Sequence, residues 1–383
     1  MKYPLFKVHV PKNEALTNIE RVFDSGFINE GEQVSELSKG LSNFLDVENL
    51  VLTNSCTSAL TLALKALGVA SGDEVLTISM TCVATNTPIA NLGARIVWVD
   101  INPNTGSIDI EDLRNKITTR TKAIMFVAWA GNPCELDELL EIRREFGIPL
   151  IQDAAHAFDS RWNGNSISRY ADFTCYSFQA IKHFTTGDGG AIVCLDNELF
   201  ETVKKLKWFG YDRDAVKDEK GEWRGQRWDA DIPRGLIGYK FNMNNIAAAI
   251  GLAQLPKTSD VIESHRRNGR FLNDFFQSSR NFRTLELNAK ATSSNWVFTM
   301  IFKGTRLNRD KLLENLIDEG IGAGLVHLPN HHYSAFEEWN SDLPGTEAFA
   351  RSQISLPCGW WINPDDCEFI AQRVEYLASK IVN

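Results

Sequence analysis

Seven short apolar runs dominate the first two-thirds of the chain: 51–53, 75–79, 95–100, 123–128, 149–153, 173–178 and 191–195. They lack the polar alternation of a half-exposed strand. Helical patterns separate them, with Val34, Leu37, Leu41, Phe44 and Leu45 in one, and Leu136, Leu139, Leu140 and Ile142 in another. Strands of this kind must be covered on both faces. They predict an α/β fold with a mostly parallel central sheet between layers of helix. At 383 residues the chain is long for one ordinary domain and fits two. A large domain is expected over residues 1–255, with an N-terminal substrate or interface arm. It ends at an Ala-rich helix, 244–255, just before Pro256. A smaller α+β domain is expected over 256–383, with a strand near 296–302 and helices over 309–319 and 364–381. The charged segment 212–231, carrying Trp223 and Trp228, reads as a long functional loop.

The formal net charge of −9 argues against a general nucleic-acid binder, while leaving room for a local basic pocket. No run approaches the roughly 20 apolar residues of a membrane span. The opening decapeptide, Met1 to Val10, lacks the apolar stretch of a secretory signal. Cys56, Cys82, Cys134, Cys175, Cys194, Cys358 and Cys367 are scattered without CxxC spacing. An odd set embedded in apolar runs reads as reduced thiols of a cytoplasmic protein. It offers no zinc-site spacing, and no metal is expected.

Three strand ends carry the chemistry, because ligands in open parallel sheets sit beyond the carboxyl ends of the strands. The first is Thr53-Asn-Ser-Cys-Thr-Ser-Ala-Leu60, which leads a strand into a helix. Ser55, Cys56 and Thr57 offer N–H groups and hydroxyls to a phosphate, although a plain Ser N-cap has the same appearance. The second is Asp153, a strand-end carboxylate suited to a heterocyclic cation. Against the pyridine nitrogen of pyridoxal 5′-phosphate (PLP) it would keep the ring an electron sink. Alone it is equally a helix-capping Asp, or a metal or ribose ligand. The third is Lys182, delivered by an apolar strand into a Gly/Thr-rich loop that reverses at 187–190. A lysine with a lowered pKa forms an imine with an aldehyde. Ser177, five residues upstream, could hold a phosphate.

In order and spacing these motifs resemble the DegT/DnrJ/EryC1/StrS sugar aminotransferases of the fold-type I PLP superfamily. The matching stretches are Ser55-Cys-Thr-Ser-Ala-Leu60, Gly72-Asp-Glu-Val75, Asp153-Ala-Ala-His156, the run from Ser177 to Gly190, and Gly238-Tyr-Lys-Phe-Asn-Met243 followed by Ala248 to Leu255. The resemblance covers nearly the whole chain. It implies that Lys182 carries PLP as a Schiff base and that Asp153 pairs with the ring nitrogen. It places His156 beside the 3′-oxygen, and Cys56, Thr57 and Ser177 at the phosphate. It also implies a homodimer, with Lys240 or Asn242 reaching the phosphate of the neighbouring subunit's cofactor. Cys82 stands where many members put a ring-stacking aromatic. Either Cys82 packs on the ring or an aromatic such as Trp129 stacks from elsewhere.

The implied reaction moves an amino group between L-glutamate and a keto sugar, most simply a nucleotide-linked one, with the cofactor alternating between PLP and its pyridoxamine form. Candidate substrate contacts are Asn29, Gln179, His183, His331, His332 and Tyr333, together with the Trp223–Trp228 loop. Related dehydratases replace the lysine by histidine, so Lys182 favours transamination. An aminotransferase for a cyclitol or another keto compound, or a silent PLP-binding regulator, are the competing readings.

Overall fold

The computed structural model describes residues 1–213 and 231–382, so the expected loop around Trp223 and Trp228 lies outside the described residues. The central sheet contains β1 (Leu50–Thr53), β2 (Glu74–Ile78), β3 (Arg95–Val99), β4 (Thr121–Val127), β5 (Leu150–Asp153), β6 (Phe173–Ser177) and β7 (Gly190–Cys194). Its spatial order is β1-β7-β6-β5-β4-β2-β3. The pairs β6–β5, β5–β4, β4–β2 and β2–β3 are parallel, while β7 runs antiparallel to both β1 and β6. The mostly parallel α/β sheet expected from the apolar runs is therefore present.

Its two faces feed two separate cores. Leu76, Ile78, Ile124, Phe126 and Leu150 point into one. Their neighbours Val75, Ala123, Met125 and Ile151 point into the other. That is why these strands carry no polar alternation: with a period of two, both sets are buried.

Helices α1 (Lys12–Ser25) and α2 (Glu32–Leu45) pack on α5 (Asn245–Gln254), with α3 (Cys56–Ala66) and α4 (Val83–Asn91) between them in sequence. Gly251 inside α5 is needed for this packing, since a Cβ there would stand 2.8 Å from the Leu37 side chain. A short 3-10 turn at Leu255–Lys257 passes the chain to α6 (Thr258–Phe276).

The C-terminal part adds a three-stranded antiparallel sheet of β8 (Phe282–Thr284), β9 (Phe298–Phe302) and β10 (Gln353–Leu356). Around it lie α7 (Arg306–Asp318), α8 (Pro344–Ser352) and α9 (Pro364–Val382). Met300, Phe302, Leu312, Leu316, Ile354 and Ile370 fill its core. The chain start belongs here too: Tyr3 lies in this core, bridges Ile321, and donates its hydroxyl to Asp366 at 2.6 Å.

Strand β7 forms the link between this architecture and the site. Gly190 opens β7, pairing with Thr53 on one side and Ser177 on the other. A Cβ at Gly190 would lie 2.6 Å from the backbone N of Cys56 and 2.6 Å from the carbonyl carbon of Ser55. Neither contact is the far end of a flexible side chain, so the backbone itself would have to move. Gly190→Ala should therefore lower stability by roughly 1–3 kcal/mol, read as a drop in denaturation midpoint on thermal or urea unfolding.

Candidate active site

The parallel strands β2, β5 and β6 deliver their last residues to one edge of the sheet, and the site is built there. Asp153 ends β5 and is buried. One carboxylate oxygen accepts a hydrogen bond from the Thr85 hydroxyl at 2.7 Å. The other accepts from the Ala155 N–H at 3.0 Å and faces the Cys56 thiol at 3.9 Å. Among the described residues Asp153 forms no ion pair within 4.0 Å. Burial raises its pKa, although the Thr85 and Ala155 donors pull the other way. A buried carboxylate of this kind is suited to a cation that the chain itself does not provide.

Lys182 follows β6 in a tight turn closed by its own N–H on the Gln179 carbonyl at 2.9 Å. Its Nζ sits 3.7 Å from the centre of the Trp296 ring. Burial pulls its pKa down to about 8, against an opposing attraction from Asp153. At pH 7 that leaves about a tenth of the side chains as free amine, compared with about three in ten thousand for an ordinary lysine. The residue is thereby prepared as a nucleophile. Trp296 is fixed in turn, donating Nε1–H to the Ile181 carbonyl at 2.9 Å.

His156 is stacked on the Trp296 ring at 4.0 Å and 17°. Its Nε2 is 3.3 Å from Nε2 of His327, and the two imidazoles lie within 8° of parallel. Burial drives the pKa of His156 well below the usual value, with the Lys182 charge adding to it, and that of His327 to about 4. Both rings are neutral at pH 7. The Nδ1 of His156 is buried with no hydrogen-bond partner among the described residues.

At the end of β1, Ser55 caps α3, its hydroxyl accepting from the Ser58 N–H at 3.1 Å. The N–H groups of Cys56 and Thr57 lie in the first turn, where no intrahelical carbonyl can satisfy them. Ser177 closes β6 across Gly190 from this turn. The segment carrying Lys240 and Asn242 lies alongside. Asn242 bridges Thr53, and the Phe241 carbonyl accepts the Asn54 N–H at 2.8 Å. Asn242 is buried and donates to Asn29 at 3.2 Å and to the Met243 carbonyl at 3.1 Å. Lys240 is exposed, hydrogen-bonded to Asn242 and 3.9 Å over the Trp208 ring. Oriented N–H groups and hydroxyls thus gather at one helix start, which suits a phosphate dianion.

Cys82 stands half-buried at the N-cap of α4 and is one of the groups acting on Lys182. Trp129 is fully buried and meets His156, His327 and Phe349 edge-on. Of the other substrate-side candidates, Asn29 is exposed and accepts from Asn242, and Gln179 is exposed with its Oε1 on the Ile181 N–H at 3.1 Å. His183 is buried, with Nε2 3.0 Å from the Ser294 carbonyl and its ring against His265 at 4.6 Å, in a packing environment. His331 is buried on Ser79, His332 is exposed on Glu347, and Tyr333 is exposed.

Four residues not singled out from the sequence belong to the same constellation. Thr85 holds Asp153; Trp296 and His327 enclose Lys182 and His156. Asn330 donates to the Thr81 carbonyl at 2.8 Å and accepts from Asn86 at 2.8 Å, tying a C-terminal loop to the start of α4.

The residues present fit PLP. A buried carboxylate with no ion-pair partner among the described residues faces one end, the first-turn N–H groups of α3 and Ser177 mark the other, and an orphaned imidazole nitrogen and a lysine with lowered pKa lie between. No described helix is long and apolar enough to cross a membrane.

Comparison with known proteins identifies the family. A model of the DegT/DnrJ/EryC1/StrS aminotransferase family matches residues 10–375. The UDP-4-amino-4,6-dideoxy-N-acetyl-beta-L-altrosamine transaminase of Campylobacter jejuni is 28% identical over 92% of this chain and 91% of its own. The crystal structure of the sugar aminotransferase CalS13 from Micromonospora echinospora superposes with a TM-score of 0.89, at 28% identity, covering 97% of this chain and 99% of that one. The PLP form of the sugar aminotransferase homologue Spr1654 from Streptococcus pneumoniae does so with a TM-score of 0.89, at 27% identity, covering 99% of each chain. With a lysine, a strand-end carboxylate and a phosphate-type helix start in the matching order, the chain belongs to the DegT/DnrJ/EryC1/StrS aminotransferase family, a family of PLP-dependent enzymes.

Proposed function

We propose that this enzyme transfers an amino group from L-glutamate to a nucleotide-linked keto sugar, a 4-keto or 3-keto deoxysugar, in amino-sugar biosynthesis. The product would serve a surface polysaccharide such as an O-antigen of lipopolysaccharide, or a glycosylated metabolite. The observation that carries the reaction is the burial of Lys182, just past β6, and of Asp153, at the end of the neighbouring β5, close enough that each charge acts on the other. The sugar class is supported by the relatives, among them a UDP-sugar transaminase and the spore coat polysaccharide biosynthesis protein SpsC of Bacillus subtilis, 29% identical over 94% of this chain.

When bound, PLP supplies an aldehyde to capture the amino group and a ring to take up the electron pair left at Cα. The chain's residues do the rest. Asp153 holds a proton at the ring nitrogen. Its carboxylate is kept in place for this by Thr85 and by the Ala155 N–H. The Cys56 and Thr57 N–H groups, with Ser177, hold the phosphate. His156 offers Nδ1 to the ring's 3′-oxygen. Lys182 moves a proton between the substrate Cα and the cofactor C4′, as base and then acid, which its lowered pKa suits.

A cytoplasmic homodimer with shared active sites is part of this reading. Phe27, Ile28, Phe209 and Ile237 are exposed apolar residues; the Phe27 and Ile28 carbonyls accept from Asn245, the Phe209 backbone bonds Gly238 and Tyr239, and Ile237 precedes them in sequence. An apolar patch of this kind beside a site fits a subunit contact. Within it Lys240 is the exposed member of the pair.

Lys182→Ala should abolish multiple turnover and the near-visible absorbance of the lysine-bound cofactor. Asp153→Asn should retain cofactor yet lose about 10²–10⁴-fold in turnover. Capture of PLP by the cofactor-free enzyme should quicken as pH rises and level off above about 8, where Lys182 is deprotonated. A stopped-flow pH series reads this directly, and a profile still rising steeply at pH 10 would contradict the lowered pKa. A glutamate half-reaction followed spectroscopically should convert the cofactor to its pyridoxamine form. Nucleotide-linked 3- and 4-keto sugars should then reverse it, and cyclitol ketones should not.

A further inference from the structure

A second cluster with ligand chemistry lies beside the ends of β2 and β3. His331, His332 and Glu347 each present one donor atom, all within 4.8 Å of one another. A single carboxylate oxygen, Oε1 of Glu347, lies 3.3 Å from Nε2 of His331 and 2.5 Å from Nε2 of His332. We propose that His331, His332 and Glu347 bind one first-row divalent metal ion of the zinc type, which braces the 330–333 loop against the first turn of α8.

The donor set is right for such an ion: two imidazoles and a carboxylate, with a fourth position left to water. A tetrahedral ion bound at about 2.1 Å sets its ligand atoms about 3.4 Å apart. The Glu347–His331 separation already has this value. His332, which is exposed, needs to withdraw by about an ångström.

The supports are those a built site needs. The Nδ1 of His331 lies 2.6 Å from the Ser79 hydroxyl, just past β2, and that hydroxyl also accepts the His331 N–H at 3.0 Å. With Nδ1–H donating to Ser79, the Nε2 lone pair points at the cluster. Glu347 is held through its helix. Asp100, just past β3, accepts from the Gly345 and Thr346 N–H groups at 2.7 Å each and from the Thr346 hydroxyl at 2.8 Å. The Asp100 carboxylate also acts on His331 and adds negative charge near the ion. Two neighbouring strands of the rigid sheet thus aim His331 and Glu347 at one point, and the exposed His332 completes it.

The test is calorimetric titration of the purified holoenzyme with Zn²⁺, in wild type and in His332→Ala, Glu347→Gln and Ser79→Ala. Wild type should bind one ion per chain at this site. His332→Ala and Glu347→Gln should bind it at least about tenfold more weakly, and Ser79→Ala, which keeps all three ligands, about 10–100-fold more weakly. Co²⁺ should give the visible bands of a four-coordinate site in wild type and not in Glu347→Gln. Any metal held at the cofactor would persist in every variant. No saturable binding by wild type, or equal binding by wild type, His332→Ala and Glu347→Gln, overturns the proposal. Far-ultraviolet circular dichroism confirms that the variants fold.

Discussion

The absence of a side chain at Gly190 sets the position of the whole site. Because β7 runs against its neighbours, its first residue arrives at the same edge where the parallel strands end. It occupies the narrow space between the first turn of α3 and Ser177. Without that approach the Cys56 and Thr57 N–H groups and the Ser177 hydroxyl would not face one volume. The distance from this helix start to Asp153 and Lys182 is then fixed by the spacing of strands, which depends on backbone hydrogen bonds and not on any site residue.

Electrostatics completes what the backbone arranges. Desolvation acts in opposite directions on Lys182 and Asp153, lowering one pKa and raising the other, and each moderates the other's shift. The pair is at once poorly solvated and not in direct contact. A ligand carrying an aldehyde towards one and a protonated ring nitrogen towards the other relieves both. A chain of net negative charge can still offer an anion site, because oriented N–H groups at a helix start need no surplus of cations.

Much of this was legible in the sequence because strands buried on both faces leave an unmistakable apolar signature, and strand ends locate ligand chemistry. Asp153 and Lys182 were visible for that reason. Trp296 and His327 were not, since they come from the C-terminal third of the chain and approach the site only after the two parts pack. Trp296 sat inside a run that read simply as strand, and His327 adopts a positive φ of 64° that no local pattern announces. His183 illustrates the opposite case: it was named as a candidate substrate contact, and the turn places its ring in a buried contact with His265. Glu347 joins His331 and His332 from a separate helix, so no ligand spacing marked the cluster.

The facing imidazoles of His156 and His327 have a further consequence. Two neutral rings that meet Nε2 to Nε2 share one hydrogen between those atoms, so one ring must be the Nε2–H tautomer and the other the Nδ1–H tautomer. If that hydrogen sits on His156, its orphaned Nδ1 is an acceptor; if it sits on His327, the same atom becomes a donor. The pair is a polarity inverter. It can present a lone pair or an N–H at the His156 Nδ1 without either ring acquiring charge.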